Sequence, residues 1–499
     1  MSEIPKSFTE AAVGTGSSSS PIVSPAGSAN RPADLLETLA QIVGAENLLH
    51  EDCDRDLYAK TTLPQGTRPL AIIRPENADQ VSNAMRAITA AAVQWKAISR
   101  GKNWGYGDAC AAEDGAIIID LRRMDRIIEI NEDLAYAVIE PGVTQGQLAG
   151  ELIARGSRLM LDVTGAGPEA SIAGNILQRG FGHTPYGDRF ANSCNYEVVL
   201  PDGNVTRTGF GNIENSVVGH VYPYGRGPNP QGMLPQSSNG IVTRMTIWLM
   251  PRPEAIDGFG FKTDDDEAFK HIVDTIGRLR QEGVIDSVVH LANDLRVLSS
   301  QPALRSTGER RAPLTPAERK AMRKQAGVGR WNGLGGLYGP RTVVNAKRRV
   351  IKQALRKYCR VRFFTQRQVK LLDATTSRMP TSGPFGRLKN LSSAIKDVND
   401  LLCGVPTATH LEGAFFRNRP DSGEVIDAGL IWIAPVIPCT GDDALRLIEH
   451  LEPIANQHGF DLPITISPVV PRAAVCIANI SFDSSDPAES LRATDCYAA

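Results

Sequence analysis

The sequence predicts an α+β fold and not a doubly wound parallel sheet. A strand–helix–strand unit over residues 70–98 is followed by β-hairpins, so parallel and antiparallel pairing are mixed. No Gly-x-Gly-x-x-Gly fingerprint follows the first strand, which disfavours a Rossmann domain. With 499 residues, the chain is long enough for two or three domains and for a large buried ligand site.

The first half of the chain alternates short strands and helices. Asn77 and Gln80 have capping-box spacing after a buried strand, and Thr144 and Gln147 repeat that spacing in a helix that ends at Gly156. A short helix is predicted from residue 33, strands at residues 70–75, 95–98, 115–121 and 240–251, and hairpins at residues 127–140 and 196–209.

The second half has a similar mixture. Apolar residues at helical spacing predict a helix over residues 269–279 that ends at Gly283. Residues 305–330 and 347–349 are rich in basic side chains, a pattern typical of a solvated face that could also receive an acidic electron-transfer partner. Strands are predicted at residues 284–290, 430–435 and 475–480, and helices at residues 444–457 and from Asp486 onward.

Composition excludes several classes of protein. The formal net charge of −1 disfavours a nucleic-acid-binding protein, which is normally basic. Eight cysteines without a Cys-x-x-Cys pair indicate free thiols in a reducing compartment and no zinc site. No run of about 18 apolar residues occurs, so we expect no membrane span and a cytoplasmic location. Residues 1–33, rich in small residues, are predicted to be a disordered tail.

The most informative stretch is the glycine-rich loop at residues 99–108, directly after a predicted strand. It contains Gly101, Gly105 and Gly107 together with the phenol of Tyr106. Glycine reaches positive φ at little steric cost and has no Cβ to block a ligand, so backbone N–H groups can converge on a phosphate. Taken alone, the loop favours an ordinary glycine-rich turn.

A second stretch decides between these interpretations. Residues 171–175, Ser-Ile-Ala-Gly-Asn, lead into residues 179–188, Arg-Gly-Phe-Gly-His-Thr-Pro-Tyr-Gly-Asp, and then into the hairpin at residues 196–209. In order and separation, both stretches resemble the FAD-binding domain of the vanillyl-alcohol oxidase and p-cresol methylhydroxylase family. The resemblance implies a two-domain flavoprotein, with a FAD-binding domain of the p-cresol methylhydroxylase type over residues 34–251 and an α+β substrate or cap domain over residues 252–499.

The resemblance also implies a FAD site. Relatives attach the flavin covalently through a histidine or tyrosine of the cap domain, but those positions fall on Leu411 and Leu430, so we expect non-covalent FAD. His410, next door, is expected to be an ordinary surface or core histidine. The cofactor-binding residues expected are Ser99, Arg100, Gly101, Lys102, Asn103, Gly105, Tyr106, Gly107, Gly165, Ser171, Gly174, Asn175, Gly182, Tyr186, Gly187, Asp188, Gly240, Ile241 and Val242.

The implied reaction is hydride transfer from a para-alkyl phenol to FAD, followed by addition of water to the quinone methide. Tyr106 occupies the position of a phenolate-binding tyrosine; the alternative is a buried tyrosine bonded to a backbone carbonyl. His183 could lie near the substrate ring as a donor or base, or be a satisfied core histidine. Glu169 is the nearest carboxylate to the position where vanillyl-alcohol oxidase keeps an aspartate beside the flavin, although the gapless match falls on Ala166.

The partners expected are a small phenolic substrate, a cytochrome c as electron acceptor and a second copy of the chain in a homodimer, with no nucleic acid and no membrane. Residues 164–168 resemble the hydroxylating relatives, which favours the cytochrome over dioxygen. Family members continue past the position of Ala499 into a segment with a Tyr-Arg pair, so we expect an incomplete cap domain. A flavin dehydrogenase of a 2-hydroxy acid and a flavin-binding protein without turnover stay open as alternative functions.

Overall fold

The computed structural model describes residues 32–300, 313–380, 383–415 and 428–499. The disordered tail predicted at residues 1–33 lies outside these ranges, except that Pro32 already begins a helix. The helices are α1 (Pro32–Val43), α2 (Asp52–Ala59), α3 (Ala78–Ala90), α4 (Gln145–Ala154), α5 (Ile172–Leu177), α6 (Asp266–Gln281), α7 (Asp294–Ser299), α8 (Pro316–Ala326), α9 (Arg341–Leu355), α10 (Gln366–Thr376), α11 (Gly383–Leu402), α12 (Thr409–Ala414), α13 (Gly441–Gln457) and α14 (Pro487–Ala498). The strands are β1 (Leu48–Leu49), β2 (Ala71–Ile73), β3 (Trp95–Ile98), β4 (Ile117–Asp120), β5 (Ile127–Asn131), β6 (Tyr136–Ile139), β7 (Leu159–Met160), β8 (Ser193–Val199), β9 (Val205–Arg207), β10 (Ile241–Trp248), β11 (Met250–Pro251), β12 (Ala255–Thr263), β13 (His290–Asn293), β14 (Trp331–Gly339), β15 (Arg362–Thr365), β16 (Gly429–Ile433), β17 (Val436–Pro438), β18 (Ile464–Val470) and β19 (Ala473–Phe482).

A four-stranded sheet, with order β1-β2-β4-β3, carries the glycine-rich loop. β2 and β3 both pair in parallel with β4, and α3 connects them, as the strand–helix–strand pattern predicted. The Asn77 side chain caps α3 by accepting a hydrogen bond from the N–H of Gln80 at 2.9 Å. The loop at residues 99–108 therefore leaves from the carboxyl end of β3.

A five-stranded antiparallel sheet, with order β5-β6-β10-β8-β9, stands beside it. The hairpins β5–β6 and β8–β9 confirm both sequence predictions. The predicted strand at residues 240–251 is split at Leu249, because β11 leaves the sheet to pair with β7.

An eight-stranded antiparallel sheet is formed by residues 255–482, in the order β15-β12-β14-β13-β18-β19-β16, with β17 added on β19. Its core includes Phe269 and Trp331, whose rings stack with centroids 4.1 Å apart. The strands predicted at residues 430–435 and 475–480 are confirmed as β16 and as part of β19. Mixed pairing across these sheets confirms the α+β fold class, whereas the predicted domain boundary at residue 251 stays a prediction.

The strand predicted at residues 284–290 is wrong. Gly283 ends α6 with a φ of 68°, and the N–H groups of Val284 and Ile285 both donate to the carbonyl of Leu279, at 2.9 and 3.2 Å. This capping turns the chain into a buried connection, and strand pairing begins only at His290.

The basic segments form a solvated face only in part, at the exposed Lys320, Lys324 and Arg349. Arg319 Nη2 lies 2.5 Å and Arg323 Nη1 lies 2.8 Å from the carboxylate oxygens of the buried Asp294. In α9, Lys347 pairs with Asp286 at 3.0 Å and Arg348 pairs with the buried Asp257 at 2.9 Å. These four cations pair within the second half of the chain, which corrects the expectation of a solvated face for them. Residues 305–312 of the basic stretch lie outside the described residues.

Two compositional predictions concern the whole chain. All eight cysteines are free thiols, as their spacing predicted. Among the described helices, none is both long and apolar enough to cross a bilayer. The cytoplasmic location stays a prediction.

Candidate active site

A mainly apolar cavity of about 1420 Å³ lies between the glycine-rich segments of the first half and one face of the eight-stranded sheet. One wall comes from the loop after β3, from α5 and from the start of β10. The opposite wall comes from α7, from α12 and from strands of the eight-stranded sheet, including Trp432, Thr465 and Ser467. Residues widely separated in sequence therefore meet at one site.

Most of the residues predicted to bind the cofactor line this cavity. The two glycine-rich segments meet at Gly174, where an added Cβ would lie 3.3 Å from both Ser99 Oγ and Ser171 Oγ. The lining residues from the predicted set are Ser99, Arg100, Gly101, Lys102, Asn103, Tyr106, Gly165, Ser171, Gly174, Asn175, Gly240, Ile241 and Val242.

Six residues of the predicted set do not line the cavity, namely Gly105, Gly107, Gly182, Tyr186, Gly187 and Asp188. Their surroundings give a packing reason for three of the glycines. A Cβ on Gly105 would overlap the ring of Trp432, and a Cβ on Gly182 would overlap the carboxylate of Asp162. A Cβ on Gly187 would lie 2.5 Å from Val288 Cγ2, again too close. These glycines let neighbouring segments approach and so support the cavity wall from behind.

Tyr106 presents an unpaired phenol at the cavity wall. Its side chain is 50% exposed, and its hydroxyl forms no hydrogen bond within the described residues. The alternative of a buried tyrosine bonded to a backbone carbonyl is therefore wrong. Partial burial, together with the nearby Tyr497, raises the pKa of Tyr106 to about 12, so the hydroxyl keeps its proton at neutral pH.

His183 belongs to a cluster of three histidines that line the cavity. Its ring centroid lies 4.5 Å from that of His290 and 6.0 Å from that of His410. Burial lowers the pKa of His183 to about 4 and that of His410 to about 3. Burial also lowers the pKa of His290 well below its usual value. All three rings are therefore neutral at pH 7.

The cluster is held in place by neighbouring polar groups. His290 Nδ1 lies 2.9 Å from Ser467 Oγ, while His290 Nε2 and His410 Nδ1 are buried without a partner in the described structure. Beside His183, the buried Asp162 accepts hydrogen bonds from the N–H and hydroxyl of Thr184, at 2.9 and 2.6 Å. Among the residues described, no set of three or more His, Cys, Asp or Glu side chains is placed to hold a metal ion.

The buried pair of Asp162 and Arg189 connects the histidine cluster to the predicted cofactor wall. Their charged groups approach to 3.6 Å, and Arg189 Nη1 donates to Asn175 Oδ1 at 2.7 Å. Sequence patterns did not reveal this pair, since its members are far apart and neither lies in a recognisable motif.

Glu169 is not brought to the site. Its side chain is exposed and does not line the cavity, so the structure does not support its predicted acid–base role. Three other carboxylates line the cavity: Asp108, Asp397 and Glu412. Asp108 accepts hydrogen bonds from Thr61 and Thr62, which fixes the loop. Asp397 accepts from Thr409 Oγ1 at 2.8 Å.

His410 and Arg296 are lining residues that the sequence patterns did not mark as functional. His410 packs against Gly165, where an added Cβ would lie 2.9 Å from His410 Cβ. Arg296, in α7, donates from Nη2 to the carbonyl of His410 at 3.3 Å and lies over the ring of Trp432, 5.9 Å from its centroid. Burial lowers the pKa of Arg296 to about 10, which leaves the guanidinium charged at neutral pH.

The sequence and the fold are similar to those of known flavoproteins. Residues 69–209 match the family model described as a FAD binding domain. The chain is 29% identical to the 4-cresol dehydrogenase (hydroxylating) flavoprotein subunit of Pseudomonas putida, over 91% of this chain and 83% of that protein. A crystal structure of p-cresol methylhydroxylase with substrate bound superposes with a TM-score of 0.82 at 27% identity, over 93% of this chain and 86% of that one. The chain is also 34% identical to the 1'-carboxy-chondrochloren decarboxylase of Chondromyces crocatus, over 93% of this chain and 86% of that protein.

The chain belongs to the p-cresol methylhydroxylase family of FAD-dependent oxidoreductases.

The glycine-rich loop of this p-cresol methylhydroxylase relative fits the diphosphate of its cofactor, FAD. In the described structure, the backbone N–H groups of Gly101, Lys102 and Asn103 have no hydrogen-bond partner. Gly101 has a φ of 65°, a conformation that glycine adopts at little cost and that lets successive N–H groups point to one side. Unpaired donors of this kind are suited to phosphate oxygens.

Proposed function

We propose that this flavoprotein oxidises para-alkyl phenols of the 4-cresol or eugenol type. The single observation that carries the proposal is the unpaired, protonated hydroxyl of Tyr106 at the wall of a mainly apolar cavity. A phenol that gives up hydride from its benzylic carbon needs a donor at its oxygen and a dry slot for its ring. The relative named as a 4-cresol dehydrogenase supports the same substrate class.

FAD, when bound, accepts the hydride. The side chains of the protein bind the phenol and accept the released proton. Tyr106 donates to the phenolic oxygen and favours its negative charge. His183, neutral through burial, has a ring nitrogen that can take the proton released when water adds to the quinone methide. The exposed Glu169 has no part in this scheme.

FAD is proposed to bind without a covalent bond to the protein. The positions that match the family's attachment residues are Leu411 and Leu430, neither of which can form such a bond. The cavity-lining members of the predicted cofactor set provide its binding site, and Gly105, Gly182 and Gly187 support that wall by close packing.

A small cytochrome c is the proposed electron acceptor, and a homodimer is the proposed assembly. The 4-cresol relative is named as a flavoprotein subunit, which supports a separate acceptor subunit. Reduced protein mixed with air in a stopped-flow instrument should reoxidise slowly unless an acceptor is added. Fast reoxidation by dioxygen alone would contradict the cytochrome assignment.

The proposal includes phenols whose side chain carries a carboxylate, and the relative named as a decarboxylase of a carboxy compound supports this extension. A 2-hydroxy acid is the second candidate, because the cationic Arg296 lines the cavity and a carboxylate needs such a group.

The proposed function is tested by anaerobic reduction of the FAD-loaded protein. We expect 4-ethylphenol to bleach the flavin, while 4-ethylanisole, which cannot form a phenolate, leaves it oxidised. Bleaching by lactate but not by 4-ethylphenol would favour the 2-hydroxy acid dehydrogenase. Bleaching by neither class, with FAD fully bound, would favour the flavin-binding protein without turnover.

A further inference from the structure

We propose that Arg296 binds a carboxylate on the substrate's side chain, so that the preferred substrates are para-substituted phenols bearing an acidic group. The inference rests on the proposed function for the phenolic end of the ligand. It names Arg296 as the residue that determines specificity at the other end.

The charge on Arg296 is not compensated within the described structure. Its Nη1 atom is buried and has no hydrogen-bond partner, and Nη2 reaches only the carbonyl of His410. None of the carboxylates that line the cavity forms an ion pair with it in the described structure. Arg296 as a whole is partly buried, but a cation with a buried, unpartnered nitrogen and no counter-ion is costly, so such a group in a cavity indicates an anionic ligand.

Other arginines that are buried or largely buried in the described chain do have partners. Arg189 pairs with Asp162, and Arg319 pairs with Asp294. Arg280 lacks a close carboxylate but donates to the carbonyls of Ser287 and Val469, and it does not line the cavity. Arg296 differs from all three because it combines an unpaired guanidinium nitrogen with a place on the cavity wall.

The surroundings of Arg296 suit a carboxylate. Each neutral histidine of the cluster has one ring N–H that can donate to an anion, and two of the ring nitrogens, His290 Nε2 and His410 Nδ1, are unpartnered in the described structure. Trp432 holds the guanidinium against its ring and so limits its orientations. An anion at this point would therefore meet a preoriented cation with additional polar groups nearby.

A pair of matched ligands tests the proposal without any mutation. The dissociation constants of 3-(4-hydroxyphenyl)propionate and of its methyl ester are measured anaerobically with the FAD-loaded protein by stopped flow, from the ligand concentration at which the rate of flavin bleaching half-saturates. We expect the carboxylate to bind about tenfold to a hundredfold more tightly than the ester, the range for a hydrogen bond to a charged group. Equal affinities would overturn the proposal.

Variants assign the preference to Arg296. The variant Arg296→Met keeps the apolar stem and should lose the preference while binding the ester normally, and Arg296→Lys should restore part of it. Arg349→Met removes an exposed arginine of α9 outside the cavity and should leave the preference intact. A preference that survives in Arg296→Met, with FAD content unchanged, would contradict the assignment. A loss of FAD in both Arg296 variants would instead show that the guanidinium serves the cofactor.

A third ligand separates this proposal from the proposed function. 3-Phenylpropionate lacks the phenolic hydroxyl but keeps the carboxylate. If it binds as tightly as the hydroxylated acid and depends on Arg296, the carboxylate site is upheld and the phenol assignment fails. If 4-propylphenol binds as tightly as the hydroxylated acid, the phenol assignment stands and the carboxylate site fails.

Discussion

Replacing Tyr106 with phenylalanine tests the phenolate-binding role of the loop. The change keeps the ring and removes only the hydroxyl, which has no hydrogen-bond partner within the described residues. No buried partner is therefore left unsatisfied, and the stability of the protein should not change. Any effect on binding then reports the loss of one donor to the ligand.

The magnitude follows from the charge of the acceptor. A hydrogen bond to a charged group contributes about 1.5–3 kcal/mol, so a 4-alkylphenol should bind roughly 10- to 150-fold more weakly to Tyr106→Phe. Because the donor favours the charged form, the pKa of the bound phenol should rise by about 1–2 units in the variant.

The assay is a titration of FAD-loaded protein with 4-tert-butylphenol, which has no benzylic hydrogen and so cannot reduce the flavin, followed by the ultraviolet absorbance of the phenolate at several pH values. Tyr497→Phe is the matched control, because Tyr497 lies close enough to influence Tyr106 but does not line the cavity. An unchanged affinity and phenolate absorbance in Tyr106→Phe would refute the role. A loss of FAD would assign the tyrosine to the cofactor instead.

Three further predictions concern the histidine cluster, the loop and the cofactor. Below pH 6.5 His183 is protonated in the unfolded chain, whereas in the folded protein it stays neutral down to about pH 4. Acidification should therefore lower the free energy of unfolding. The loss should exceed that of His183→Gln by up to about 1.4 kcal/mol per pH unit. Urea unfolding at pH 7 and pH 5 measures this, and equal losses in both proteins would contradict it. Gly105→Ala should destabilise the protein by about 1–3 kcal/mol more than Gly115→Ala. Both glycines have a positive φ, but only at Gly105 would the added Cβ overlap the Trp432 ring. Similar urea midpoints for the two variants would disprove the packing explanation. Acid precipitation of the protein should release FAD into the supernatant. Flavin that stays with the precipitated protein would show a covalent bond, and His410 on the cavity wall would be the candidate attachment residue.

Local sequence signals predicted the parts of the fold that local chemistry determines. Asn77 caps α3, and the hairpins β5–β6 and β8–β9 form where alternating apolar runs flank turn residues. The strand predicted at residues 284–290 failed because the apolar run is buried by tertiary packing, and capping at Gly283 takes it out of the sheet. Burial alone does not distinguish a strand from a packed connection.

The candidate site was predictable only on the side built from contiguous motifs. The loop at residues 99–108 and the segment around Gly174 line the cavity as expected. The sequence also predicts cofactor contacts for glycines behind the wall, such as Gly105 and Gly182. Close packing of two protein segments and close approach of a ligand both require glycine, so the sequence cannot distinguish these two roles. His290 and Arg296 could not be found, since only the pairing of β13 with β14 and β18 brings them to the cavity.

The most direct test of the central claim is the effect of deuterium on flavin reduction. FAD-loaded protein is mixed anaerobically with 4-ethylphenol or with the same phenol carrying deuterium at the benzylic carbon, and flavin bleaching is followed by stopped flow. If hydride leaves that carbon in the cavity beside Tyr106 and His183, bleaching should be several times slower with the deuterated phenol. Equal rates, or no bleaching by a phenol that visibly binds, would contradict the account.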